Sequence, residues 1–271
     1  MKPARFDYVR ADSADEVVSL LAEHGADARI LAGGQSLMAV LNIRLAEPKW
    51  LIDISRVAEL KYSRIENGKL VVGAAATQAS VEWRADLANE VPLLKLAFPL
   101  LAHVPIRNRG TVCGSIAHAD PSAELPLCLT LLQGEVVLRS SAGRRVLAAA
   151  DFFQGMLTTA LRPGEFVEAA RFPLRAPNTR YAFREVAMRH GDFALVALAA
   201  AISGDAIELA VGGVSDRPRR KRFEKIAGKD LEAVLNDFAW ELDAESDRHA
   251  SAAYRRHLVR ELGRLMLSER E

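Results

Sequence analysis

Cysteine is scarce in this chain: two occur in 271 residues, Cys113 and Cys128, and neither belongs to a Cys-x-x-Cys pair. Two such thiols cannot ligate an iron–sulfur cluster on their own, and both are expected to be reduced and buried. The six histidines show no metal-like grouping, and spacing supports no Ser/His/Asp arrangement, so metal and nucleophilic catalysis lack support. An excess of one charge is missing too. With 36 Lys and Arg against 35 Asp and Glu the net charge is +1, which gives no electrostatic reason to expect nucleic acid or an anionic membrane. The one basic cluster, Arg217, Arg219, Arg220, Lys221 and Arg222, reads as a solvated loop or the rim of a partner contact. No apolar run approaches the roughly 18 to 20 residues that span a bilayer. The opening Met1-Lys2-Pro3-Ala4-Arg5 lacks the apolar stretch of a secretory signal, so a cytoplasmic location is expected.

What is present suits a multi-lobed globular protein, since half the residues are hydrophobic. Ser13-Ala14-Asp15-Glu16 is a capping-box pattern; Val17, Leu20, Leu21 and His24 then share a helical face until Gly25. A short strand over Arg29–Ala32 breaks at Gly33-Gly34, after which Ser36 is expected to cap a helix towards Arg44. Trp50–Ile54 reads as a further strand. A second lobe starts near residue 56, where Asn67-Gly68 predicts a hairpin turn between Tyr62–Ile65 and Leu70–Gly73. Thr77 can cap a helix to Arg84, and another runs from Pro92 towards Ala102 with a kink at Pro99. The stretch from Ile106 to Ser115 reads as loop, Glu124–Leu132 as helix, and Glu135–Ser140, Arg145–Ala148 and Phe166–Phe172 as strands. After a linker at Arg175–Asn178, strands at Tyr181–Glu185, Phe193–Ile202 and Ala206–Val211 form a small antiparallel sheet, followed by helices over Lys229–Trp240 and Ala250–Leu267.

Two segments could carry chemistry. Gly33-Gly34-Gln35-Ser36 lies between strand and helix, where glycines admit a close ligand and exposed amides can cradle phosphate; equally, a double glycine can be only a tight turn. Thr111–Glu124 supplies glycine, hydroxyls and the carboxylates of Asp120 and Glu124, a mixture suited to a pyrophosphate joined to sugar hydroxyls. Its alternative is an ordinary loop with a capping Glu124.

Taken together, three markers resemble the FAD-binding medium subunits of molybdenum hydroxylases, related to the flavin domain of xanthine dehydrogenase and including the carbon monoxide dehydrogenase flavoprotein. They are Ala32-Gly33-Gly34-Gln35-Ser36-Leu37, Arg107-Asn108-Arg109-Gly110-Thr111-Val112-Cys113-Gly114-Ser115, and Ala119-Asp120-Pro121-Ser122-Ala123-Glu124-Leu125-Pro126. Further matches run through Leu51–Ile54, Arg189–Ala194 and Ala250–Leu258, so the resemblance covers essentially the whole length. It implies an α+β fold: a two-lobed FAD-binding domain of the vanillyl-alcohol oxidase type over residues 1–176, with lobes of about 1–55 and 56–176, then a small C-terminal α+β domain over 177–271. It also implies that Ala32, Gly33, Gly34, Gln35, Ser36 and Leu37 grip the FAD pyrophosphate from one side. Thr111, Gly114 and Ser115 would grip it from the other. Leu101, Ala117 and Val167 match apolar positions around the flavin ring, and Glu124, with Asp120 nearby, matches a carboxylate at the ribityl chain or flavin edge. His118 lies inside the second cofactor segment, and Arg184 falls near a lysine that relatives place by the flavin. Cys113 and Ser115 depart from the family's two adjacent glycines followed by Asn or Asp, and Glu124 is longer than the usual aspartate. The implied partners are a small subunit with two 2Fe–2S clusters and a large molybdopterin subunit, in a dimer of heterotrimers, with this chain's FAD passing electrons onward. A self-sufficient flavin oxidase or reductase of the same fold, or a flavin-free assembly subunit, are the alternatives.

Overall fold

The computed structural model describes residues 1–204, 206–224 and 231–268. Its first lobe is built on three short parallel strands in which Trp50–Asp53 is central, flanked by Asp7–Arg10 and Ala28–Leu31. Asp7–Arg10 is a strand that sequence pattern does not reveal, because DYVR has no alternation and its register comes only from pairing Tyr8 with Leu51. The helix Ala14–His24 begins at its expected cap, where Ser13 Oγ accepts from Glu16 N–H at 3.1 Å, while Glu16 Oε2 accepts from the amide one residue earlier, Asp12 N–H, at 2.7 Å.

The second lobe is an antiparallel five-stranded sheet, ordered Ser63–Glu66, Lys69–Gly73, Phe166–Pro173, Glu135–Ser140, Gly143–Ala148. Its first hairpin turns at Asn67 and Gly68, both at positive φ, as the two-residue turn demands. Short helices cover one face. The helix from Pro92 stops at Ala97, before Pro99, so that proline ends the helix rather than kinking it. The stretch from 106 to 115 is not a loop. Helix Val104–Arg107 and helix Val112–His118 take most of it, the second capped by Thr111, whose hydroxyl accepts from Gly114 N–H at 3.0 Å.

The third unit is a four-stranded antiparallel meander: Thr179–Ala187, Ala194–Ser203, Ala206–Gly212 and Arg219–Glu224. The last strand contains most of the basic cluster, which is therefore a sheet edge and not a solvated loop. Arg220 pairs with Glu208 at 2.6 Å, and Lys221 pairs with Glu241. One sheet face, with Phe183, Ala197, Ala199 and Ala210, joins the main core. The other, with Ala182, Val196, Leu198 and Val211, packs under helices Leu231–Glu241 and Ala252–Ser268. The first two residues of the helix expected over 229–240 lie outside the described residues. Helix Glu124–Leu131 is buried on every side, because the meander covers it opposite the second lobe.

Candidate functional site

The Gly33-Gly34 turn is formed by Gly34, which sits at φ 71° and is itself the N-cap of helix Gln35–Asn42 with no side-chain cap. Ser36 lies inside that helix rather than capping it, since the chain has already turned at Gly34. The first backbone bond of the helix runs from Met38 N–H to Gly34 O at 3.1 Å, so the amides of Gln35, Ser36 and Leu37 have no helical acceptor. Gln35 Nε2 donates to Gly33 O at 2.8 Å and fixes the turn. A Cβ on Gly33 would lie 2.2 Å from Arg109 O and 2.7 Å from Gly110 Cα. The two glycine-bearing segments, 76 residues apart in sequence, therefore interlock backbone against backbone. Substituting Gly33 disturbs this packing as well as any ligand, while at Gly34 the positive φ is the main obstacle, joined by the Leu31 side chain 3.1 Å from where a Cβ would stand.

Beside this junction opens a cavity of about 370 Å³, walled by Ala32 to Gln35, Met38, Asp53, Ser55 and Arg109. Asp53 accepts from Tyr8 Oη at 2.6 Å and from Ser55 N–H at 2.7 Å. Burial opposes ionisation there, but those bonds hold its carboxyl below the ordinary value. In the second segment the amides are largely engaged: Gly114 N–H with Thr111 Oγ1, Ser115 N–H with Thr111 O, and Val112 N–H with Ala76 O. Cys113 is buried, its thiol pushed up to about 12 by desolvation, so it is a packing residue.

Further along, Leu101 and Val167 are buried in the main core, Ala117 packs on it, and helix Val112–His118, which ends at a half-buried His118, lies against strand Phe166–Pro173. Glu124 is 4% exposed. Burial, then the charges of Glu185 and Asp120, push its carboxyl up to about 8. Glu185 is likewise pushed up to about 7 by burial, and its Oε2 has no hydrogen-bond partner. With burial raising its carboxyl above neutrality, Glu124 can donate as well as accept. Sequence reading pointed to Arg184, but strand alternation turns Arg184 to the face it shares with Ala182 and leaves it exposed. Its neighbour Glu185, on the Phe183 face, meets Glu124. The signal for Glu185 was the strand period, usable only once the covered face was known.

Residues 4–175 match the family described as "FAD binding domain in molybdopterin dehydrogenase". The chain is 40% identical over 206 residues to caffeine dehydrogenase subunit beta of a Pseudomonas strain, covering 76% of this chain and 70% of that one. It is 36% identical to the glyceraldehyde dehydrogenase medium chain of Sulfolobus acidocaldarius, covering 97% of each. Among solved structures it superposes on a chain of a copper- and molybdenum-containing CO dehydrogenase with a TM-score of 0.92 at 30% identity, covering 98% of this chain and 97% of that one. These likenesses define the class as an FAD-binding oxidoreductase subunit. The chain belongs to the FAD-binding medium subunits of the molybdenum hydroxylase family. No described helix is long and apolar enough to cross a membrane.

Proposed function

We propose that this chain is the FAD-carrying electron-transfer subunit of a cytoplasmic molybdenum hydroxylase. A small partner with two 2Fe–2S clusters would feed it, a large molybdopterin partner would oxidise the substrate, and the three would assemble as a dimer of heterotrimers. The observation that carries this reading is the junction at Gly33, where an uncapped helix start meets the Arg109–Gly110 backbone beside an open cavity. Such a wall suits a pyrophosphate: the amides of Gln35, Ser36 and Leu37 lack acceptors, and Ala32, Gly33 and Gly34 allow a close approach. Thr111, Gly114 and Ser115 close the other side, with the Thr111 hydroxyl free to donate while its oxygen caps the helix. Leu101, Ala117 and Val167 supply an apolar bed for a flat ring, and His118 flanks it.

When bound, FAD would exchange electrons in ones or twos, linking one-electron clusters to an external acceptor. The chain's residues bind it, orient it and exclude water. Glu124 would accept from hydroxyls of the ribityl chain or from the flavin edge, with Asp120 as the nearby second carboxylate for that role. Arg184, exposed on the other face of the strand from Glu185, would reach the flavin only from outside this lining.

The test is anaerobic bleaching of the flavin by heteroaromatics and aldehydes, first with this chain alone and then with its partner subunits. Bleaching only in the complex is expected. Rapid bleaching of the lone chain by any such substrate would replace this reading with a self-sufficient flavin oxidase or reductase.

A further inference from the structure

Two charged residues line the cavity beside the Gly33-Gly34 turn, Asp53 and Arg109. They differ in what already satisfies them. Asp53 is held by Tyr8 and by the Ser55 amide. Arg109 makes no side-chain hydrogen bond and no ion pair among the described residues, whereas Arg107, two positions earlier, is buried on Glu82 at 2.7 Å, and Arg84 pairs with Glu90 at 2.7 Å. Nor is the Arg109 backbone loose. Its N–H donates to Ile106 O at 3.1 Å, and its carbonyl is the atom that the missing Cβ of Gly33 accommodates. The side chain thus springs from a fixed point on the wall that also presents the amides of Gln35, Ser36 and Leu37. An unpaired guanidinium beside unpaired N–H groups makes this side of the cavity positive, while the ionised Asp53 lies on the same lining with its oxygens already taken by Tyr8 and the Ser55 amide.

We propose that Arg109 is the counter-charge of the site, its guanidinium pairing with the diphosphate bridge of the bound dinucleotide while the Gly34 helix start bonds the same group through its amides. The inference rests on the reading of this cavity as part of an FAD site. It adds a residue whose side chain selects for a diphosphate over an uncharged flavin. The planar fork of arginine matches two phosphate oxygens with parallel N–H bonds, a geometry the point charge of lysine does not offer. A charge-assisted bond of this kind corresponds to a change of roughly 10- to 150-fold in affinity.

The experiment titrates the flavin-depleted complex containing this chain with FAD and with riboflavin, following flavin fluorescence, and repeats the titration with ADP or adenosine as competitor. Arg109→Gln is expected to weaken FAD and ADP by about 10- to 150-fold while leaving riboflavin and adenosine within about threefold. Arg109→Lys should recover part of that loss. Added salt should weaken FAD binding to the wild type more steeply than to Arg109→Gln, because one ion pair is gone. Unchanged FAD affinity in Arg109→Gln, or an equal loss for FAD and riboflavin, would overturn the role of Arg109 while the wild type's FAD binding left the functional reading standing. Failure of the wild type to bind either FAD or ADP would overturn both.

Discussion

At the scale of single residues, Glu124 and Glu185 connect chemistry with stability. Desolvation raises both carboxyls from the ordinary 4.5, Glu124 to about 8 and Glu185 to about 7, and Glu124 feels the charges of Glu185 and Asp120 in addition. Between those values the folded chain keeps protons that the unfolded chain has released, so stability falls as pH rises through that window. Each group contributes a slope of up to about 1.4 kcal/mol per pH unit. Groups with lowered values, such as Glu168 beside Arg144 and Arg139, act in the opposite sense and only at more acid pH. Urea unfolding of the flavin-free chain at pH 5 and pH 8 should therefore show a loss of stability that Glu124→Gln reduces. Parallel losses in wild type and variant would mean that Glu124 is ionised throughout. Glu124 was visible in the sequence because it stands in a motif, whereas Glu185 stands in a plain strand and became visible only when its face was assigned.

At the scale of elements, one buried ion pair joins two short helices. Arg107 meets Glu82 through two bonds, of 2.7 and 3.1 Å, and its remaining nitrogen donates to Leu101 O at 2.8 Å and Ala102 O at 3.1 Å. Ala102 sits at φ 45°, a turn that a non-glycine residue holds here under that clamp, and the Cβ position of Gly191 lies 3.1 Å from its carbonyl. Helices of four or five residues have no stability of their own, so this polar anchor holds what propensity cannot. Glu82→Ala should cost about 3 to 5 kcal/mol, because it strands a buried guanidinium. Equilibrium denaturation measures it, and a loss below about 1 kcal/mol would show the pair to be as weak as a surface bridge. The Thr77 cap made the first of these helices legible in the sequence, whereas the stretch from 106 to 115 reads as loop there, since elements this short carry too little periodicity to register. The edge strand Arg219–Glu224 escaped for a related reason. Its charges suggest solvent, and only the pairing with Ala206–Gly212 makes it a strand.

At the scale of the whole molecule, the stretch matched by the family ends at residue 175, just before the meander, yet the core does not end there. Phe183, Ala197, Ala199 and Ala210 close over helix Glu124–Leu131, whose four leucines are each at most 1% exposed. Stripping the cover from buried leucines forfeits on the order of 1.5 to 3 kcal/mol for each one fully uncovered. A fragment ending at residue 176 should therefore bind hydrophobic dyes and lose its cooperative thermal transition, as read by dye fluorescence and calorimetry. A cooperative, dye-silent fragment would show that the first two lobes are self-sufficient.

The sequence by itself determined the long helices, the hairpin at Asn67-Gly68 and most of the sheet strands, because caps, turns and periodicity are local properties. It also carried the two glycine segments and Glu124 as motifs. Tertiary structure alone decided that Gly33 lies against Arg109, that Arg107 is buried on Glu82, and that Glu185 rather than Arg184 faces Glu124. Each of those depends on packing between segments far apart in the chain, where the distance between two backbones, and the strand face that is covered, set which side chain is buried and which amide stays free.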